Sequence, residues 1–195
     1  MYTVIGSAAS RAFRVLWMLE ELGLPYDHQP APPRSDAVRA LNPAGKIPVL
    51  VADGEALTDS VAIMQFLADR HGRFTHPCGT LERARQDGLT HMILDEMDAC
   101  LWTAARHSFV LPEERRVPEV KASLRWEFER ACARLSERLG AGPFLMGAEM
   151  TVPDFLLAHC GRWARKARFD IADPALERWL DRMAARPAFG KVAAM

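Results

Sequence analysis

The chain has 195 residues, 49% hydrophobic and 26% charged, and its 25 basic and 25 acidic side chains cancel to a formal net charge of zero. That length supports one large or two small domains with a sizeable core. The charge balance removes any global electrostatic case for nucleic acid or for an anionic membrane as partner. The start, Met-Tyr-Thr-Val-Ile-Gly-Ser, lacks a basic segment followed by a long apolar one, so no signal peptide is visible. No apolar run approaches the ~20 residues of a membrane span, and a cytoplasmic chain is expected. Cys78, Cys100, Cys132 and Cys160 form no CxxC pair, and the six histidines show no HxH or HExxH spacing. Neither a metal site nor a dithiol redox motif is therefore expected.

The first ~75 residues alternate strand and helix signals. Tyr2 to Ile5 is β-branched and aromatic, a strand. Gly6-Ser7-Ala8-Ala9-Ser10 is a small-residue loop. Ala12, Val15, Leu16, Leu19 and Leu22 then recur at helical spacing, with Glu20 and Glu21 off that stripe, and Gly23 supplies the stop. Pro25 to Gln29 reads as an edge strand, and Ser35 to Leu41 as a short helix ending before Asn42-Pro43. Asp53-Gly54 between the apolar runs Pro48–Ala52 and Ala56–Thr58 signals a hairpin. A helix follows over about Ser60 to Arg70, closed by Gly72. The order βαβαββα, with β1 and β2 joined through a helix, predicts a mixed sheet.

From about Leu81 the pattern is helical throughout: one segment to about Phe109, another over Pro118–Leu139 stopped by Gly140, a third from Thr151, and a fourth after Asp173-Pro174. An α/β region followed by an all-α region predicts two domains, residues 1–75 and 82–195. Thr151-Val152-Pro153-Asp154 has the spacing of a capping box, a structural signal and not a catalytic one.

Three stretches could carry chemistry. Pro48 stands where a loop enters a strand. A trans edge-strand proline explains it; a cis bond would turn the Ile47 N–H and C=O toward a ligand that pairs like an added strand. Asp59-Ser60 opens a helix. Either residue serves as an N-cap, or Ser60 and the free N–H groups take a carboxylate while Asp59 holds an ammonium group, as an amino-acid headgroup requires. Ser7 and Ser10 lie between the first strand and first helix with no adjacent base, so a serine nucleophile is disfavoured. They are helix caps, or one of them donates to a bound thiolate. An ordinary thiol, with a pKa of about 8.5, is only about 3% ionised at pH 7. Half-ionisation there needs roughly 2 kcal/mol, and one hydrogen bond to a charged group supplies about 1.5–3 kcal/mol.

Taken together, Ser7-Ala8-Ala9-Ser10-Arg11, Asn42-Pro43-Ala44-Gly45-Lys46-Ile47-Pro48-Val49-Leu50, Leu57-Thr58-Asp59-Ser60-Val61-Ala62-Ile63, and Thr151-x-x-Asp154 after Gly142-Pro143-Phe144-Leu145-Met146-Gly147 give the chain its resemblance. It resembles a cytosolic glutathione S-transferase of the serine type, close to the bacterial theta and delta relatives, over nearly its whole length. The resemblance implies a thioredoxin-like glutathione-binding domain over 1–75 and an all-helical, electrophile-binding domain over 82–195. It implies a cis Pro48, with Ile47 pairing to the cysteinyl part of glutathione, Asp59 and Ser60 holding the γ-glutamyl headgroup, and Lys46 near the glycyl end. Ser7 matches the thiolate-stabilising serine, with Ser10 the runner-up; the usual proline two residues after Ser7 is Ala9 here. Glutathione is then a co-substrate and a small hydrophobic electrophile the second substrate, with no metal, and a homodimer is the usual assembly. Glutathione-dependent isomerase, dehalogenase or peroxidase activity is an alternative, as is a non-catalytic glutathione-binding regulatory module.

Overall fold

A computed structural model describes all residues from Met1 to Met195. Two compact units divide the chain: residues 1–77 together with 184–195, and residues 78–183. The expected division at 1–75 and 82–195 differs from this at the C-terminus, where the last helix joins the first unit.

The first unit is a four-stranded mixed sheet with helices, as expected of the thioredoxin-like fold. Its elements are β1 (Tyr2–Ile5), α1 (Ala12–Leu22), β2 (Tyr26–Gln29), α2 (Asp36–Leu41), β3 (Val49–Ala52), β4 (Glu55–Thr58) and α3 (Ser60–His71). The strand order is β2-β1-β3-β4, with β1 and β2 parallel and the β1–β3 and β3–β4 pairs antiparallel. Asp53 and Gly54 both hold positive φ, 53° and 86°, as a two-residue hairpin turn demands. Gly23 and Gly72 close α1 and α3 in the left-handed conformation, where a missing Cβ removes the steric penalty.

α1 is buried from Ala12 through Leu19. The short helix α9 (Pro187–Ala193), which the sequence reading did not foresee, packs on it. Phe189 stands edge-on to Phe13 and Trp17, at ring separations of 4.8 and 5.0 Å. Arg186 forks onto Glu21 at 2.5 and 2.7 Å, and Lys191 reaches Glu20 at 2.8 Å. The two glutamates lie off the apolar stripe, as expected, but they serve as anchors for this returning segment.

The second unit is all-helical. α4 (Leu81–Ile93) runs through a π turn at Leu94–Asp98 into α5 (Ala99–Ala105) and a second π turn at Arg106–Val110. α6 (Val120–Leu139), α7 (Val152–Ala167) and α8 (Pro174–Ala184) follow. No helix is long and apolar enough to cross a membrane. α7 is the central helix, with every residue from Val152 to Gly161 buried. A Cβ on Gly161 would fall 2.4 Å from the tip of the Leu180 side chain, so a larger residue there would have to push that leucine aside where α7 meets α8.

The predicted capping box at the start of α7 is formed. The Asp154 carboxylate accepts the Leu145 N–H at 2.9 Å, the Thr151 N–H at 2.8 Å and the Thr151 hydroxyl at 3.1 Å. It thereby ties the Gly142–Gly147 loop to the helix. Burial pushes its carboxyl up to about 6, against the downward pull of these three donors. An unfolded aspartate titrates near 3.9, so the folded state holds an extra proton between about pH 4 and 6. This group's contribution to stability therefore falls as pH rises through that window and is flat above it. Asp154→Asn should lack that slope, so the difference in unfolding midpoints between parent and variant should change with pH through that window and stay constant above it. Asp154→Ala, which orphans two buried N–H groups, should cost about 2–4 kcal/mol in denaturant unfolding at pH 7. A midpoint unchanged by the alanine substitution would contradict the structural role.

Candidate functional site

Strand register assembles the site. Ile5 pairs with Val49 and Val49 with Thr58. The antiparallel alignment continued past these pairs sets Ser7 across from Ile47, and Ile47 across from Ser60. The first-loop serines, the loop before β3 and the corner after β4 thus meet at one end of the sheet. α1 and α3 also begin at that end, so two helix N-termini, with their partial positive charge, flank it.

The Ile47–Pro48 peptide is cis, as the resemblance implies. Ile47 lies outside the strands, and its half-buried side chain packs on a small core of Ile5, Val38 and Val49. The preceding turn is braced by Asn42: its Nδ2–H donates to the Lys46 carbonyl at 2.9 Å, and its Oδ1 accepts the Ala44 N–H at 3.2 Å. Gly45, at φ 66°, passes Arg34 so closely that a Cβ would lie 3.1 Å from the Arg34 Cα. This turn leaves Lys46 exposed beside buried Pro48.

Hydrogen-bond accounting separates the two serines. The Ser10 hydroxyl donates its one proton to the Ser7 carbonyl at 2.7 Å and accepts the Ala12 N–H at 3.1 Å. A carbonyl only accepts, so the direction of the first bond is fixed. Ser10 is a local cap with its donor spent. The Ser7 hydroxyl accepts the Ala9 N–H at 3.2 Å, which uses a lone pair and leaves its proton to give.

The pair at α3 is divided in the same manner. Asp59 is the N-cap: its Oδ1 accepts the N–H groups of Val61 at 2.8 Å and Ala62 at 3.1 Å. It does so at φ 70°, a conformation that an L-residue holds at a cost of about 1–3 kcal/mol and that recurs at functional sites. A carboxylate has about four acceptor positions, so capping does not exhaust Asp59. Ser60, the first helical residue, is buried and accepts an N–H of Arg14 at 3.2 Å. The sequence reading missed Arg14. A lone arginine within the run Ala12-Phe13-Arg14-Val15-Leu16 was the available signal.

The cysteines stand apart from this chemistry. Cys100, Cys132 and Cys160 are buried, and none of the four cysteines forms a disulfide. Burial pushes Cys100 up to about 11 and Cys132 up to about 12, so neither is a thiolate at neutral pH.

An arrangement with a hydroxyl donor, an edge-like backbone segment and a serine-tipped helix N-terminus at one sheet end suits a small peptide carrying a thiol and a charged headgroup. Comparison with known proteins agrees. Residues 9–70 match the family model of the glutathione S-transferase N-terminal domain, and residues 97–187 that of the C-terminal domain. The chain is 30% identical to the glutathione S-transferase GstA of Escherichia coli O157:H7 over 152 residues, 76% of this chain and 72% of that protein. The chain belongs to the glutathione S-transferase family. It is also 30% identical to the maleylacetoacetate isomerase of Rhizobium meliloti (strain 1021), over 91% of this chain and 87% of that one. Among solved structures, the theta class glutathione S-transferase of Xanthomonas axonopodis pv. citri with glutathione bound superposes with a TM-score of 0.79 at 25% identity, covering 100% of this chain and 97% of that one.

One residue holds the loops of the site together. Gly6, at φ 136°, donates its N–H to the Gln29 carbonyl at 3.0 Å, and its carbonyl accepts from His28 Nε2 at 2.9 Å. A Cβ on it would sit 3.0 Å from the Ile47 Cβ and 3.3 Å from the Ala12 Cβ. Gly6→Ala should therefore cost about 2–5 kcal/mol through overpacking and backbone strain. It should also weaken glutathione binding, because Ile47 must move. Thermal unfolding and calorimetric titration read the two effects; a variant as stable as the parent would refute the packing account.

Proposed function

We propose that this glutathione S-transferase family member binds glutathione on its first unit and activates the thiol for attack on a small hydrophobic electrophile. Ser7 donates a hydrogen bond from its hydroxyl to the sulfur and so favours the thiolate, the thiol proton passing to solvent. Ile47 offers its backbone N–H and C=O to the cysteinyl part of the peptide. Lys46 attracts the glycyl carboxylate, Asp59 the headgroup ammonium and Ser60 the headgroup carboxylate, while Pro48 shapes the loop that presents Ile47. The carrying observation is the division of labour in the first loop: Ser10 has committed its proton to the Ser7 carbonyl, and Ser7 has only accepted.

The magnitudes are adequate without a general base. Raising a free thiol to half-ionisation at pH 7 requires roughly 2 kcal/mol. One hydrogen bond to the thiolate is worth about 1.5–3 kcal/mol, and a helix N-terminus about 0.3–1 kcal/mol more. Once formed, the thiolate attacks an electrophilic carbon, the sulfur–carbon bond forms, and the leaving group departs with the displaced electron pair. The rest of the acceleration comes from orientation and exclusion of water.

A second reading, glutathione-dependent isomerisation, draws support from the likeness to the Rhizobium meliloti isomerase. It uses the same thiolate and differs in returning glutathione unchanged. Assays with conjugation substrates and with maleylacetoacetate separate the two.

Ser7→Ala should retain glutathione binding while losing the thiolate absorbance band at neutral pH and slowing turnover about 10- to 150-fold, the equivalent of one charged hydrogen bond. Ser10→Ala should keep the band and lose about 1 kcal/mol of stability, as a missing cap does. A band that survives Ser7→Ala and disappears in Ser10→Ala would reverse the assignment. A parent protein that fails to bind glutathione at millimolar concentration would end the reading altogether.

A further inference from the structure

Arg14 is fully buried in the first turn of α1, flanked by Phe13, Val15 and Leu16, which are buried as well. An isolated cation in such a place is costly unless its N–H groups are well used. Among its interactions, Nη1 donates to Ser60 Oγ at 3.2 Å, across 46 positions of sequence. The bond joins the first turn of the helix that follows Ser7 to the first residue of α3.

The proton count at Ser60 is decisive. A serine hydroxyl has one proton and two lone pairs, whereas a guanidinium only donates. Arg14 therefore occupies a lone pair, and the Ser60 proton must point away from it. Donation from a cation also polarises the hydroxyl and makes its own proton a stronger donor. Asp59 Oδ1 has already taken the N–H groups of Val61 and Ala62. The N–H and O–H of Ser60 are then the donors this corner can give to an anion.

We propose that Arg14 is a positioning residue for recognition of the headgroup carboxylate: from beneath the site it turns the Ser60 hydroxyl outward and sharpens it as a donor. The proposal rests on the glutathione reading above. Arg14 touches Ser60 and acts on the ligand only through it.

Two ligands test the idea in a cycle with Arg14. One is glutathione; the other is γ-aminobutyryl-cysteinylglycine, which keeps the ammonium and thiol and lacks only the headgroup carboxylate. Calorimetric Kd values are compared for the parent, Arg14→Met and Arg14→Lys. The parent should prefer glutathione by about 10- to 150-fold, the range for a hydrogen bond to a charged group. Arg14→Met should cut that preference about tenfold or more, with the Kd for the truncated ligand moved less than about threefold. Its KM for glutathione should rise while kcat at saturation stays within about threefold, since Ser7 is untouched. Arg14→Lys should recover part of the preference.

Equal weakening of both ligands in Arg14→Met would show a merely structural role and overturn the proposal, as would an unchanged preference. If Arg14→Met does not fold, the ratio is read on Arg14→Lys, and a ratio equal to the parent's overturns it. Failure of the parent to bind glutathione strikes the underlying reading, and is told apart because it appears before any variant is made.

Discussion

The site depends on the absence of a side chain at Gly6. β1 ends there, and its last backbone groups are held from one side by His28 and Gln29 of β2. On the other side Ile47 and Ala12 approach so closely that a Cβ would force them to give way. The loop before β3 and the start of α1 are therefore packed against the same peptide unit. Ser7 follows directly, and its position relative to Ile47 is set by that contact together with the β1–β3 register. A single steric constraint thus places the hydroxyl proposed for the thiol beside the backbone proposed for the cysteinyl group.

A second coupling runs through the buried Arg14–Ser60 bond, which ties α1 to α3. Its chemistry resembles that of the first loop. In both places one hydroxyl is fixed through its lone pairs, by the Ala9 N–H at Ser7 and by a guanidinium N–H at Ser60, so that its proton is available to a ligand. Each interaction is worth only about 1–3 kcal/mol. That scale is sufficient, because the chemistry asks only for a modest shift in thiol ionisation and for an oriented peptide. On the far side of α1, Glu20 and Glu21 anchor α9 through Lys191 and Arg186. The helix is thereby held along its length and not only at its start.

Much of this was legible in the sequence wherever the determining contacts are local. The Asp53-Gly54 hairpin, the glycine stops of α1 and α3, the strand at Tyr2–Ile5 and the Thr151–Asp154 box all rest on residues within a few positions of one another, and each formed as expected. What escaped depends on distant partners. Arg14 has no assigned partner in the sequence, and its bond to Ser60 spans 46 positions. α9 carries too few residues to show a helical period, and its place is set by Phe13, Trp17, Glu20 and Glu21 from the opposite end of the chain. The π turns at Leu94–Asp98 and Arg106–Val110 leave the helical pattern of that stretch unbroken, so periodicity alone reads one continuous helix. Between Ser7 and Ser10 the sequence offered no physical ground for choice, because both are loop serines before a helix. The direction of one hydrogen bond, Ser10 to the Ser7 carbonyl, is the observation on which the proposal for Ser7 rests.

The most direct test of the central claim is a crystal structure of the protein with glutathione bound. The account predicts the sulfur within hydrogen-bond reach of Ser7 Oγ, the cysteinyl backbone paired with Ile47, and the γ-glutamyl carboxylate on the N–H and hydroxyl of Ser60. A sulfur seated on Ser10, or a headgroup bound away from the start of α3, would contradict it.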